Sequence, residues 1–240
     1  TFINNTSYMR SAVYNNLSKA FATSNQSSEN GRLPTIWGHG FGGWTNLSGD
    51  GNAARSKSSI GGFISGIDAQ VFDNWRLGVL ASYSQTNFRL NERLSSGTSD
   101  DYTIGTYTGT EMPVAHGVVE FRSGLSYTWH NIEMKRAIAF AGFDDRLSSS
   151  YDAGSFQVFG ELGYKLPFTE KASFEPYANL AYVRLKTDAF SETSTRGAGL
   201  NVDESKMNTT LSTLGFRATA ILNEKVIPVK VRADIAWRHA

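Results

Sequence analysis

Residues Val118–Asn131, VVEFRSGLSYTWHN, alternate between two chemistries. Glu120, Arg122, Gly124, Ser126, Thr128 and His130 share one parity; Val119, Phe121, Ser123, Leu125, Tyr127 and Trp129 share the other. Successive side chains of a β-strand point to opposite faces, so this segment carries one wet face and one apolar face. It is also long, since strands of soluble sheets run about 5–6 residues as a mode. Length, a charged face and an aromatic end together fit a wall between lipid and water, the pattern of a transmembrane β-barrel strand.

Composition narrows the alternatives. With 240 residues the chain suffices for one barrel, or for one to two ordinary domains. It has no uninterrupted apolar run of about 18 residues, which excludes a helical membrane span. The net charge of +1 gives no electrostatic case for nucleic acid. Without cysteine there is neither a disulfide nor a thiolate metal site, which also suits passage through an oxidising periplasm. The chain starts at Thr1 without a charged leader and apolar core, so any secretion signal is expected outside it, as part of a longer polypeptide.

The first thirty-odd residues follow a different period. Met9, Val13, Leu17, Ala20 and Phe21 recur at helical spacing, which predicts a helix over Tyr8–Phe21 capped by Ser7, with Arg10 interrupting its apolar stripe. Such a helix is roughly 21 Å long at 1.5 Å per residue, close to the roughly 25 Å apolar band of an outer-membrane barrel. From Thr35 the period becomes two. Strands are expected near 35–46, 58–71, 74–88, 100–110, 115–134, 153–166, 173–188, 206–222 and 227–238. Trp75, Tyr83, Trp129 and Trp237 fall near strand ends, where interfacial aromatic girdles sit. The first and fourth strands alternate poorly and resist orientation.

Connections alternate in length as well. Asp73-Asn74, Glu111–Pro113, Pro167–Ser173 and Asn223–Lys225 are short, whereas 47–57, 89–99, 135–152 and 189–205 are long and rich in Ser, Gly, Asp and Asn. Short turns on one side and long loops on the other describe a barrel lying in an outer membrane.

These residues resemble the translocator domain of autotransporters (type V secretion). Its landmarks are IWGHGFGGW (36–44), SSIGGFISGID (58–68), WRLGVLASYS (75–84), FGELGYKL (159–166), FEPYANLAYVRL (174–185), STLGFRA (212–218) and ADIAWRH (233–239). Each is weak alone; seven in family order are not. The resemblance implies an all-β, antiparallel up-and-down barrel of about a dozen strands in the bacterial outer membrane. It also implies an N-terminal helical linker (residues 1–32) threading the pore of a barrel formed by 33–240, and a passenger before the linker. The expected partners are outer-membrane lipid, the chain's own passenger, the barrel-assembly machinery and periplasmic chaperones, with the protein a monomer. Nine strands fall short of the family's dozen, and the last, aromatic-terminated family strand has no counterpart here. About three strands are therefore expected to lie outside this chain or to come from another.

Candidate sites are few. His39, His116, His130 and His239 lack metal-ligand spacing and read as polar strand or turn residues. Asp100-Asp101 and Asp144-Asp145 read as solvated loop carboxylates rather than calcium or acid–base pairs. No motif of a conventional enzyme and no cofactor site is present. Arg76, Glu120, Arg122, Glu161, Lys165, Arg217, Lys230, Arg232 and Asp234 share the polar parity and are expected to line a hydrated lumen of mixed sign.

One chemical candidate remains. Asn15-Asn16-Leu17 with Lys19 resembles the segment cut within the barrel of serine-protease autotransporters of enteric bacteria. The resemblance implies asparagine cyclisation at Asn15-Asn16, assisted by a wall carboxylate for which Glu161 has the matching position. A second family acid is replaced by Asn179. Sixteen asparagines predict about one Asn-Asn pair by chance, so the bland alternative is two asparagines that hydrogen-bond to the wall. The leading expectation is an outer-membrane translocator that is not an enzyme apart from this single-turnover cut. The alternatives are a channel or adhesin barrel without a passenger, and a soluble β-sheet binding protein.

Overall fold

The computed structural model describes residues 2–24, 34–47, 56–72, 74–90, 95–140, 143–169, 171–222 and 229–240. Helix α1 spans Phe2–Ser24. Nine long strands follow: β1 Thr35–Leu47, β2 Ser56–Phe72, β3 Trp75–Leu90, β4 Ser95–Val114, β5 Gly117–Phe140, β6 Phe143–Thr169, β7 Ala172–Thr187, β11 Ser205–Leu222 and β12 Val229–His239. The short pieces β8 Phe190–Ser191, β9 Thr193–Ser194 and β10 Asn201–Val202 lie between β7 and β11. Every long strand pairs antiparallel with its neighbours in chain order, from β1 at one edge to β12 at the other.

Burial is inverted relative to a soluble sheet. Val79, Leu125, Val158, Leu162, Leu180, Leu214 and Ile235 are exposed, while Arg76, Glu120, Arg122, Gln157, Glu161 and Arg217 are buried. Charged residues are almost never fully buried in water-soluble proteins unless paired, and contiguous apolar exposure marks a surface that meets something apolar. Lipid outside and a polar interior satisfy both sets. Trp75, Tyr83, Trp129 and Trp237 all point to the exposed apolar face.

A single helix also reports the curvature of the sheet. Helix α1 packs against β1, β2, β4 and β5. It also hydrogen-bonds to Gln157 of β6, Asn179 of β7 and Arg232 of β12. Nine strands spaced about 4.8 Å apart would spread far wider, if flat, than a helix of about 10–12 Å diameter. The sheet therefore wraps around α1, with its polar face inward.

Several expectations shift. The helix starts earlier than Tyr8 and has 23 residues, roughly 34 Å at 1.5 Å each. Ser7 is consequently internal to the helix rather than its N-cap. The extra turn is held by its own polar side chains: Thr6 donates to the Ile3 carbonyl and Asn5 to Thr86 of β3. Arg10 does not break the stripe, because the wall it faces is polar; it is buried and donates to Thr6 and Gln157. Strands β4, β5 and β6 run well beyond the expected limits, so most of 89–99 and 135–152 is paired strand rather than loop. Their Ser- and Asp-rich ends read as loop because inward-facing positions here are polar, which removes the apolar half of the alternation. Glu111–Pro113 lies inside β4, and the turn is Ala115-His116, with Ala115 at a φ of 50°. Pro167 is accommodated in β6 beside a register shift between Pro167 and Thr169, where the missing N–H costs no regular ladder bond. Asp73, residues 48–55 and the Asn223–Lys225 turn lie outside the described residues.

Candidate functional site

The buried side of α1 presents Met9, Ala12, Val13, Leu17 and Phe21 to Ile64, Leu80, Tyr107, Phe159 and Leu211 of the wall, forming the apolar core. Val13 and Leu17 are 0% exposed. Tyr8 stacks on Phe41 at 4.9 Å, and Tyr14 meets Phe159 edge-on at 5.6 Å. These apolar contacts are flanked by polar ones, and the latter bring the candidate residues together.

The first polar group surrounds Asp68, on β2. Its carboxylate accepts from Arg76 Nε at 2.7 Å, from the Tyr107 hydroxyl at 2.8 Å and from Asn16 Nδ2 at 2.7 Å. Trp37 Nε1 donates to the Tyr107 oxygen at 2.6 Å. Tyr107 reaches this position by lying across Gly78, its direct partner on β3, where a Cβ would stand 2.4 Å from the ring. Four strands thus converge on the side-chain amide of Asn16.

A second group lies about Glu161, on β6. Arg122 Nη1 donates to Oε1 at 2.6 Å, and Arg217 donates to Oε1 and Oε2 at 2.6 and 2.8 Å. Glu120 pairs with Arg122 and, at 3.7 Å, with Lys165; Glu175 accepts from Arg122 and Arg217 at 3.3 and 3.0 Å. Arg217 also donates to Asp234 at 3.0 Å and lies over the Tyr177 ring at 3.7 Å. Opposite charges shared among five strands leave each buried ion paired, the condition under which such burial is tolerated. Tyr14 enters beside this group, and its hydroxyl accepts from Asn179.

Asn15 and Asn16 part company. Asn16 is buried against Asp68, whereas Asn15 is exposed and accepts from Arg232 Nη1 at 3.1 Å. Asn15 and Glu161 line one cavity of about 580 Å³ with Arg10, Tyr14, Arg217 and Arg232, but the carboxylate bonded to an asparagine of the helix is Asp68. Of the other lumen candidates, Arg76 serves Asp68, while Arg232 and Asp234 are exposed on β12 yet turned toward the helix and Arg217. The Lys230 side chain lies outside the described residues. Asp68, Tyr107 and Glu175 were not singled out as site residues from the sequence. Asp68 closes the SSIGGFISGID motif, so that signal was available; Tyr107 sits in a strand whose alternation is too weak to orient it.

The aspartate pairs need correction. Each is split by strand parity: Asp100 is half-buried and accepts from the Tyr83 hydroxyl at 2.7 Å, while Asp101 is buried. Asp101 accepts from Ser99 at 2.6 Å and bonds His130 Nδ1 at 2.6 Å. Asp144 pairs with Arg196 at 3.2 Å, and buried Asp145 accepts from Thr195 and from backbone N–H groups of Thr195, Arg196 and Ala198. Asp101 and Asp145 are therefore not solvated loop groups, because the strands continue past the positions where loops were expected. Among the described residues no group of histidines and carboxylates has the arrangement to hold a metal.

The family model for the autotransporter β-domain matches residues 36–240. Two extracellular serine proteases of Serratia marcescens are each 30% identical to the chain over 99% of its length, which covers 22% of theirs. The chain thus spans about a fifth of the length of these curated relatives. Among solved structures, the translocator domain of NalP from Neisseria meningitidis superposes with a TM-score of 0.66 at 16% identity, covering 98% of this chain and 76% of that one. The β-domain of Bordetella BrkA gives 0.65 at 17%, covering 85% and 79%. At these identities the two structures establish the fold, an autotransporter-type β-barrel with a helix inside.

Proposed function

The chain belongs to the autotransporter β-domain family, an outer-membrane translocator, and from that premise we propose that α1 is the stalk of a passenger threaded through the barrel. In this reading residues 1–32 are the linker, 33–240 the barrel wall, and the passenger joins at the N-terminal side of α1. The observation that carries it is the grip on the helix from four strands: Asn5 on Thr86, Arg10 on Gln157, Tyr14 on Asn179 and Asn16 on Asp68. A helix held by four specific polar contacts and an apolar core blocks a pore, as a stalk left after export must. Assembly machinery and periplasmic chaperones belong to the same reading, since exposed β-edges and an apolar outer wall need escort to the membrane.

We further propose that the helix is cut at Asn15-Asn16. Asn15 Nδ2 attacks its own backbone carbonyl carbon, a five-membered imide closes, and the bond to Asn16 breaks as the departing amine takes a proton. Intramolecular attack gains its rate from a held geometry, which Arg232 supports by fixing the side-chain oxygen. Glu161, in the same cavity, assists through water.

The full-length protein expressed in a Gram-negative host tests both readings. The expected result is a surface-exposed N-terminal region in intact cells, and release with a new terminus at Asn16. Asn15→Asp should preserve the folded barrel and abolish release. An N-terminal region found only in the periplasm overturns the stalk, whereas surface display with an intact Asn15–Asn16 bond overturns the cut alone.

A further inference from the structure

Three adjacent strands place an aspartate, a histidine and a serine in a relay on the inner wall. Asp101 of β4 bonds His130 Nδ1 at 2.6 Å, and His130 Nε2 of β5 lies 2.9 Å from Ser155 Oγ of β6. All three are at least 95% buried, with exposures of 3%, 4% and 4%. The register explains the alignment: Asp101 pairs directly with His130, while Ser155 pairs with Thr128, two residues along β5 on the same face. The carboxylate is itself fixed by Ser99 at 2.6 Å, so it holds the imidazole in the tautomer whose Nε2 accepts the serine proton.

A second observation points to a ligand. Gln157, two residues beyond Ser155 on the same face, is 2% exposed. Arg10 can only donate, so its bond to Gln157 Oε1 fixes the amide with Nε2 turned the other way. That Nε2 has no hydrogen-bond partner among the described residues. A buried donor without a partner costs about 1–3 kcal/mol, a cost that a ligand oxygen accepting from it would remove. Ser155, His130, Asp101 and Gln157 line one cavity of about 40 Å³, shared with Thr6 and Met9 of the helix. Since one water needs roughly 10–15 Å³ by this measure, the space suits an acetyl-sized group.

We propose that Ser155 is the nucleophile of an acyl-transfer site in the lumen, taking small esters with an acetyl-sized acyl group. Ser155 Oγ bonds to the ester carbonyl carbon while its proton passes to His130 Nε2. Asp101 stabilises the imidazolium, and Gln157 Nε2 donates to the oxyanion. Collapse breaks the bond to the leaving alkoxide, which takes the proton back from His130. Water then hydrolyses the Ser155 ester with His130 as base. The acyl-transfer step uses neither Asn15 nor the passenger, but the site is complete only while the helix is uncut, because Thr6, Met9 and Arg10 precede Asn15.

The test is methanesulfonyl fluoride applied to the full-length protein in outer-membrane preparations, kept uncut by Asn15→Asp, with modified serines located by peptide mass spectrometry. Oγ displaces fluoride at sulfur, the same substitution in a probe that fits the cavity. Ser155 is expected to be sulfonylated at least about 100-fold faster than Ser84 and Ser126, which line the same cavity. His130→Gln, checked for heat-modifiable barrel migration, should remove that advantage, and Gln157→Leu should slow labelling about tenfold or more. Ser155 left unmodified, or reacting no faster than Ser84 and Ser126, overturns the proposal without recourse to any variant. Equal labelling in folded His130→Gln overturns it as well.

Discussion

Asn16 and Asp68 stand 52 residues apart in sequence and share a 2.7 Å hydrogen bond in which the helix donates and the wall accepts. Asp68 is also neutralised by Arg76 at 2.5 Å, so the amide binds an ion pair already complete without it. Such a contact latches the helix without being essential to the wall. Asn16→Leu should cost about 1–3 kcal/mol of helix docking while the sheet stays intact. Asn16→Asp, which brings a second carboxylate to Asp68, should cost more. Both should raise conductance in planar bilayers, with Asn16→Asp the leakier. Unchanged conductance in both would show that this bond does not retain the helix.

The apolar face should obey depth as well as parity. Leu125 and Trp129 both face outward from β5, four residues apart along a strand that leaves the short turn at Ala115-His116. Arginine at Leu125, nearer the bilayer midplane, should cost about 2–4 kcal/mol of folding stability, and at Trp129 about 0–1 kcal/mol beyond the lost aromatic contacts. Unfolding in lipid vesicles measures both. The inner face offers no simple neutral control here, because Ser126 is buried near the helix and has no room for an arginine.

What the sequence made legible follows from which signals survive a barrel's inversion. All nine long strands were readable, because outward positions such as Leu125, Tyr127 and Trp129 must be apolar wherever lipid touches them. The ends of β4, β5 and β6 were not, since Ser95, Ser99, Ser149 and Asp145 are buried without being apolar, and composition then mimics a loop. The parity of Arg76, Arg122, Glu161 and Arg217 was visible, but not that these charges would neutralise one another across strands, which depends on register. Asn16 was visible as half of a pair, whereas its partner Asp68 required the helix to be rotated and placed. The relay of Asp101, His130 and Ser155 could not be read at all. Its members lie 29 and 25 residues apart and meet only through two strand registers.

Gly78 should tolerate no side chain while Tyr107 lies across it. A Cβ there would stand 2.4 Å from the ring and 2.7 Å from Asp68 Cβ, so both the tyrosine and the helix latch would have to move. Gly78→Ala is expected to destabilise the barrel by about 1–3 kcal/mol, the usual range for overpacking. Adding Tyr107→Ala should make the Gly78→Ala penalty smaller than in the parent, a coupling that denaturant unfolding of the four proteins can quantify. Simple additivity would remove the ring as the cause.

Glu204 provides a pH test outside the membrane wall. It precedes β11 and lies 2.8 Å from Lys186 and 2.7 Å from Lys206. Hydrogen bonds from these two lysines lower its carboxyl from an ordinary 4.5 to about 2. A carboxyl with a depressed folded-state value binds its proton more readily once the loop is released. Its contribution is therefore complete above about 4.5 and is lost as pH falls through about 2. The group is exposed, so the effect is local and weakened by salt. Hydrogen exchange across Asn201–Lys206 should accelerate between pH 5 and pH 2, after correction for intrinsic exchange rates. Glu204→Gln should abolish most of that change, and high salt should diminish it in the parent. Identical corrected profiles for the parent and Glu204→Gln would assign the acid response of this segment to another carboxylate, with Asp188, 3.2 Å from Lys186, the next to replace.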